Sequence, residues 1–258
     1  MSVPSVFLEA VALAHPSWHP ALRSGLAAVA AADPHYLPLL AADVYLPTNG
    51  RLFAAFAQPL EAVRYVLVGE GPYPRQESAT GFCFMDGAVG PLWSEQGLSK
   101  PVNRATSLRN FMKMLLVADR QLLPDATGAG AMLTVSAKAR AAGSACIQTL
   151  PDLQRNLMRH GFLLLNAALV FRTTVAPLKD AKAWQPLIEV VLAALANRQE
   201  TMPVLVLWGK IAAWFDTLPA VSHFPKAVAE HPYNLSFILN QDMQRLFGPL
   251  HLLRQADN

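Results

Sequence analysis

Val63-Arg64-Tyr65-Val66-Leu67-Val68-Gly69-Glu70-Gly71-Pro72-Tyr73-Pro74-Arg75 (VRYVLVGEGPYPR) decides the architecture. Val63–Val68 is an apolar, β-branched run that stops at Gly69. A continuous apolar run closed by a turn reads as a strand buried on both faces, as in parallel sheets. The glycines and prolines that follow force a tight, rigid turn with exposed backbone N–H groups. The chain then repeats the pattern. Phe162–Leu169 is a second run, entered from a helical 152–160 segment through Gly161. Val204–Trp208 is a third, between Pro203 and Gly209, and Ala227–Glu230 is a short fourth just before His231.

Amphipathic helical segments lie between these runs, at about 107–118, 152–160, 184–197 and 210–217. Upstream, 5–14 and 21–32 read as apolar helices split by a turn region at His15–Pro20, and 51–58 as a short helical stretch. Strands alternating with helices mean βαβ units. The expected fold class is α/β, a three-layer α/β/α arrangement around a central four-stranded, mainly parallel sheet. One domain is expected over 1–258, with N-terminal helices in 1–44. Residues 124–147 (PDATGAGAMLTVSAKARAAGSACI) are rich in Ala, Gly and Ser and read as an insertion or flexible surface loop. Its Lys138 and Arg140 either touch phosphate or sit in solvent.

Composition narrows the class. Hydrophobic residues make up 53% of the chain and charged residues 15%, the opposite of a disordered composition. The net charge of +3 is compatible with nucleic acid without requiring it. Two cysteines, Cys83 and Cys146, cannot build a four-thiolate cluster, and no His/Cys spacing reads as a zinc site. Both are expected to be buried small residues in a reducing compartment. No basic region precedes the N-terminal apolar stretch, and Glu9 interrupts it. No apolar run reaches the ~18 residues of a membrane span. The expectation is a soluble cytoplasmic protein without membrane, metal or cofactor.

In parallel sheets, ligands bind beyond the carboxyl ends of the strands. Those ends carry Gly69–Arg75, Asn166–Arg172, Gly209–Lys210 and His231–Ser236. Asn166 sits inside an apolar run, where an amide without partners costs about 1–3 kcal/mol. It is satisfied either by backbone or by a ligand, and an amide suits the edge of a pyrimidine. Phe82 and Phe84, in the segment GFCF, are either core or a platform for a planar ring. His231, before Pro232, is structural or catalytic; with Asn166 at an adjoining strand end it makes a stronger candidate.

Taken together, in order and spacing, these segments resemble the uracil-DNA glycosylase family, from roughly Tyr45 to Leu253. YLPTNGRLFAAFAQPLEAVRYVLVGEGPYP is similar to the family's approach to its water-activating loop, which normally reads G-Q-D-P-Y-H. GFCF resembles its uracil-stacking segment, Thr106-Ser107-Leu108 its phosphate-gripping Pro/Ser loop, and LLLNAAL its uracil-reading strand. LVLWG resembles a later strand, and HPYNLS the family's H-P-S-P-L-S loop. The resemblance implies that Asn166 reads the uracil amide edge, with Gly69 and Gly71 lining the same pocket. Phe84 would stack on the ring, and Tyr73 would exclude the thymine methyl. His231 would hydrogen-bond O2, Leu235 would wedge into the base stack, and Ser107 and Ser236 would contact phosphates. The implied partner is uracil-containing DNA, single- or double-stranded, and the implied state a monomer.

The chemistry departs from the family pattern at named positions. Gly71 stands where the water-positioning Asp belongs, Glu70 replaces its Gln neighbour, and Pro74 replaces its His. Tyr233-Asn234 replaces Ser-Pro in the last loop. A G-E-x-P turn resembles the equivalent loop of the superfamily's iron–sulfur branch, whose cluster cysteines are absent here. Glu70 is therefore the expected substitute for the Asp, unless it bonds its own loop; Asp86 and Glu77 stand in reserve. A DNA-binding module that does not cut, or a glycosylase for another damaged base, are the competing readings.

Overall fold

A computed structural model describes residues 3–198 and 201–255. Its helices are α1 (Ser5–Ala12), α2 (His19–Ala32), α3 (Tyr36–Ala41), α4 (Lys100–Arg104), α5 (Thr106–Ala118), α6 (Ala129–Ala141), α7 (Leu150–Arg159), α8 (Pro177–Ala196), α9 (Lys210–Phe215) and α10 (Gln241–Phe247). The strands are β1 (Tyr65–Gly69), β2 (Trp93–Ser94), β3 (Gly97–Leu98), β4 (Phe162–Asn166), β5 (Val204–Trp208) and β6 (Lys226–Ala229). Four of them form a parallel sheet in the order β4-β1-β5-β6, flanked by helices, and β2-β3 is a separate hairpin. The α/β class and the four strands agree with the sequence reading.

The chain divides into two compact units. Residues up to Gly87, Gly161–Val206 and Ala213–Lys226 form the first. Here β1 and β4 pair in parallel from Tyr65↔Phe162 to Gly69↔Asn166, so the two candidate residues at the strand ends are neighbours by register. Helix α8 buries Trp184, Leu187, Ile188, Val191, Leu192 and Leu195, one face at helical spacing. It packs on α2 at Gly25, where a Cβ would lie 2.7 Å from Leu187 Cγ. A polar knot, buried at Asp180 and Tyr36, also ties this unit together. Asp180 accepts from the Tyr36 hydroxyl at 2.7 Å and from Arg172 at 2.6 Å, and Arg172 reaches Asp43 at 3.2 Å. Because the carboxylate is fully paired, its burial is tolerable.

Ala88–His160, Leu207–Ala212 and the chain from Ala227 onward form the second unit. Helix α5 buries Leu108, Phe111, Met112 and Leu115, and Phe111 packs edge-on to Phe247. Thr149 and Asp152 form a capping box that starts α7.

Three expectations need correction. Residues 124–147 are not a flexible loop throughout, since α6 occupies most of the segment. Met132, Val135, Ser136 and Ala139 form one buried face, and the Ser136 hydroxyl donates to the Ser94 carbonyl on the hairpin. Small side chains gave that face too weak a periodicity to read. The second strand ends at Asn166 instead of Leu169. There the chain turns back onto the first strand's exit, with Ala167 N–H donating to Gly69 O and Ala168 N–H to Glu70 O. Cys146 is only half-buried, whereas Cys83 is buried as expected.

Candidate active site

In the first unit, the site is built on the joined ends of β1 and β4. Gly69 has to be glycine: a Cβ there would stand 2.8 Å from Asn166 Oδ1 and 2.8 Å from Cys83 Cβ. Asn166 is 3% exposed, and its Oδ1 is one of four buried side-chain polar atoms without a hydrogen-bond partner among the described residues. The sheet leaves this amide oxygen without a partner.

Cys83 docks the aromatic segment onto the sheet. Its N–H donates to Leu164 O at 3.0 Å and its thiol to Leu67 O at 3.1 Å. Burial raises the thiol far above its ordinary range, against a smaller lowering by the Gly69 backbone, so Cys83 is a packing group and not a nucleophile. Thr80 braces the same turn, accepting from Phe82 N–H at 3.3 Å and donating to Met85 O at 2.9 Å. The turn holds half-buried Phe84 at φ 65°, a left-handed conformation that is costly for an aromatic residue. Backbone strain of this kind concentrates at ligand sites.

Glu70 is exposed, and its carboxylate makes no hydrogen bond or ion pair with the described residues. Gly71 lies 3.4 Å, measured from an ideal Cβ, from Ala168 Cβ. Tyr73 is half-buried; burial raises its phenol well above the usual range, and the charge of Asp86 adds to the effect. Its hydroxyl is therefore neutral. Asp86 is buried beside Arg75 at 3.7 Å, and exposed Glu77 lies 3.8 Å from the same guanidinium.

In the second unit, the loop after β6 carries His231. Gly209 (φ 66°) makes room for it, since a Cβ there would be 2.8 Å from His231 Cβ. His231 Nδ1 accepts the Tyr233 N–H at 3.1 Å. A neutral ring whose Nδ1 accepts must carry its proton on Nε2, which makes Nε2–H a donor. Leu235 and Tyr233 are 68% and 67% exposed at the tip of this loop. Its base is rigid, because Phe237 is buried edge-on to Trp208. Burial raises the Glu230 carboxyl, but hydrogen bonds from Ser236, its own backbone and Asn240 outweigh that and hold it below the usual range. The Ser236 hydroxyl is thus engaged with Glu230. Half-buried Ser107 stands in the first turn of α5, where backbone N–H groups favour an anion.

Sequence reasoning missed Asn110. It is fully buried on α5, and its Nδ2 donates to the carbonyls of Pro232, Tyr233 and Asn234 at 2.8, 3.3 and 3.4 Å. The available signal was an amide sharing a helix face with apolar Met114 and Val117, at i+4 and i+7. Among the described residues, no cluster of His, Cys, Asp and Glu could hold a metal ion, and no helix is long and apolar enough to cross a membrane.

The first unit thus carries a buried amide oxygen without a partner at a strand end, and the second an imidazole held in a braced loop, on an α/β fold. No family sequence model matches the chain. It is 29% identical over 223 residues to the uracil-DNA glycosylase of Corynebacterium glutamicum, covering 86% of this chain and 81% of that protein. It is 30% identical over 199 residues to the uracil-DNA glycosylase of Nocardioides sp., covering 77% and 69%. The crystal structure of wild-type UNG from Nitratifractor salsuginis superposes with a TM-score of 0.85 at 37% identity, over 98% of this chain and 97% of that one. The mimivirus uracil-DNA glycosylase, at 16% identity and TM-score 0.54 over 89% and 73%, shares the fold. The chain belongs to the uracil-DNA glycosylase family.

Proposed function

We propose that this protein excises uracil from DNA by hydrolysing its N-glycosidic bond, leaving an abasic site. The observation that carries this reading is the Asn166 amide, buried and without a partner for Oδ1 at a strand end. Uracil offers N3–H to that oxygen and O4 to the amide N–H, a match that repays the desolvation the free protein endures. Phe84 stacks on the ring, and Tyr73 crowds C5 and so excludes thymine, with Gly69 and Gly71 shaping the backbone beside them.

A base inside a duplex is out of reach, and flipping it costs a few kcal/mol. Leu235 offsets that cost as an apolar wedge, helped by a phosphate contact from Ser107, whereas the Ser236 hydroxyl, expected from the sequence to meet phosphate, is taken up by Glu230. The glycosidic bond then breaks, its electron pair leaving with the uracil as an anion while C1′ becomes cationic. His231 Nε2–H donates to O2 as charge develops there. One such donor is worth about 2.7–4 kcal/mol. Water adds to C1′, and Glu70 takes its proton. The reaction needs neither metal nor cofactor. We take the protein to act as a monomer in the cytoplasm, where its two free thiols suit a reducing milieu.

Gly71 and Pro74 favour a second reading, a module that holds uracil or abasic DNA without cutting. Uracil-containing single- and double-stranded oligonucleotides, followed by alkaline cleavage, separate the two. Strand cleavage is expected; binding without cleavage selects the module, and cleavage at other lesions only selects a different base. Glu70→Gln is expected to slow uracil release by about 10²–10⁴-fold, the usual contribution of a general base. If both Glu70→Gln and Asp86→Asn release uracil at the unaltered rate, neither carboxylate assists the water.

A further inference from the structure

The Pro232–Tyr233 peptide group is hydrogen-bonded at both ends. Its carbonyl, Pro232 O, accepts from Asn110 Nδ2 at 2.8 Å. Its N–H, on Tyr233, donates to His231 Nδ1 at 3.1 Å. This peptide is the central one of a turn closed by Asn234 N–H donating to His231 O at 2.9 Å. The central peptide of such a turn is the one that flips between type I and type II geometry. A flip would point a carbonyl, not an N–H, toward Nδ1. The ring would then favour a proton on Nδ1 and lose it from Nε2, removing the donor.

Two things oppose the flip. A type II turn asks Tyr233 for positive φ, which crowds the Cβ of a non-glycine residue against its carbonyl. Asn110 adds a second restraint: fully buried on α5, it donates toward three successive loop carbonyls, and the flip would break the shortest of these bonds. A carbonyl that accepts a hydrogen bond also makes its own N–H a stronger donor. We infer that Asn110 is a positioning residue that fixes the His231 tautomer through the Pro232–Tyr233 peptide, keeping the proton on Nε2.

This rests on the reading of His231 as the donor to uracil O2, but the relay can be measured without substrate. Nitrogen-15 NMR of the histidine ring in the free protein reports which nitrogen is protonated. The unaltered chain is expected to show His231 protonated on Nε2. Asn110→Leu, nearly isosteric but without a donor, should shift the ring toward the Nδ1-protonated form. It should also lower kcat for uracil release by between tenfold and the 10³-fold that losing one oxyanion donor costs, with KM within about threefold. Asn110→Ser is the milder variant and decides the matter by the same spectrum if Asn110→Leu does not fold. A folded variant of either kind that keeps the Nε2–H signature overturns the relay. A chain that shows the tautomer shift in its variants yet releases no uracil would sink the functional reading and leave the relay standing.

Discussion

At position 71 a carboxylate is missing, but the space for one is not. Gly71 has no left-handed backbone demand, and an ideal Cβ there makes ordinary contact, 3.4 Å, with Ala168 Cβ. Gly69, two residues earlier, is the opposite case, closed by Asn166 and Cys83 at 2.8 Å. Gly71→Asp is therefore expected to fold and, in the Glu70→Gln background, to restore single-turnover uracil release by at least tenfold, toward the 10²–10⁴ range of a well-placed base. A rate that stays at the Glu70→Gln level in that background would mean that a carboxylate at 71 does not reach the water. Asn166 and His231 could be read from the sequence because each is a polar residue at a strand end. Asn110 could not, because its burial is set by loop carbonyls more than 120 residues further along the chain.

Among the elements, space decides the sign of otherwise identical changes. Gly25, on α2, faces Leu187 at 2.7 Å from its would-be Cβ, with the Leu187 Cα at 3.2 Å. Gly130, on α6, has nothing within 4 Å. Both lie in helices, where replacing Gly by Ala gains up to about 1 kcal/mol from propensity. Overpacking a tight helix crossing costs about 1–3 kcal/mol. Gly25→Ala should therefore lower the melting temperature by a few degrees, and Gly130→Ala should raise it slightly. Thermal unfolding of the two variants checks both signs, and a stabilising Gly25→Ala would show that α2 and α8 can move apart at little cost. The same contrast explains what was legible. Strands β1, β4 and β5 announce themselves as unbroken apolar runs. Helix α6 does not, because its packing face is built partly from Ser136 and Ala139, whose small side chains carry almost no pattern.

Across the whole molecule, charge is divided unevenly. Of 21 Lys and Arg and 18 Asp and Glu, the second unit holds twelve and seven, leaving nine and eleven to the first. The net charges are +5 and −2, which together make the +3 of the chain. A polyanion is drawn to the unit that carries Ser107, His231 and Leu235, although the protein as a whole is nearly neutral. Lys100 and Arg104 are exposed on α4, a few residues before Ser107. Each neutralised phosphate adds about 0.7–0.9 to the slope of log affinity against log salt concentration, because binding releases a condensed counterion. Lys100→Gln with Arg104→Gln should therefore flatten that slope by about this amount for every phosphate no longer neutralised, and weaken DNA binding most at low salt. Lys179→Gln with Lys182→Gln, an equal charge change on exposed residues of α8 in the first unit, should leave the slope unaltered. Slopes that flatten equally for both pairs would mean that DNA responds to the total charge and not to its placement, and the second unit would lose its claim as the DNA-facing one.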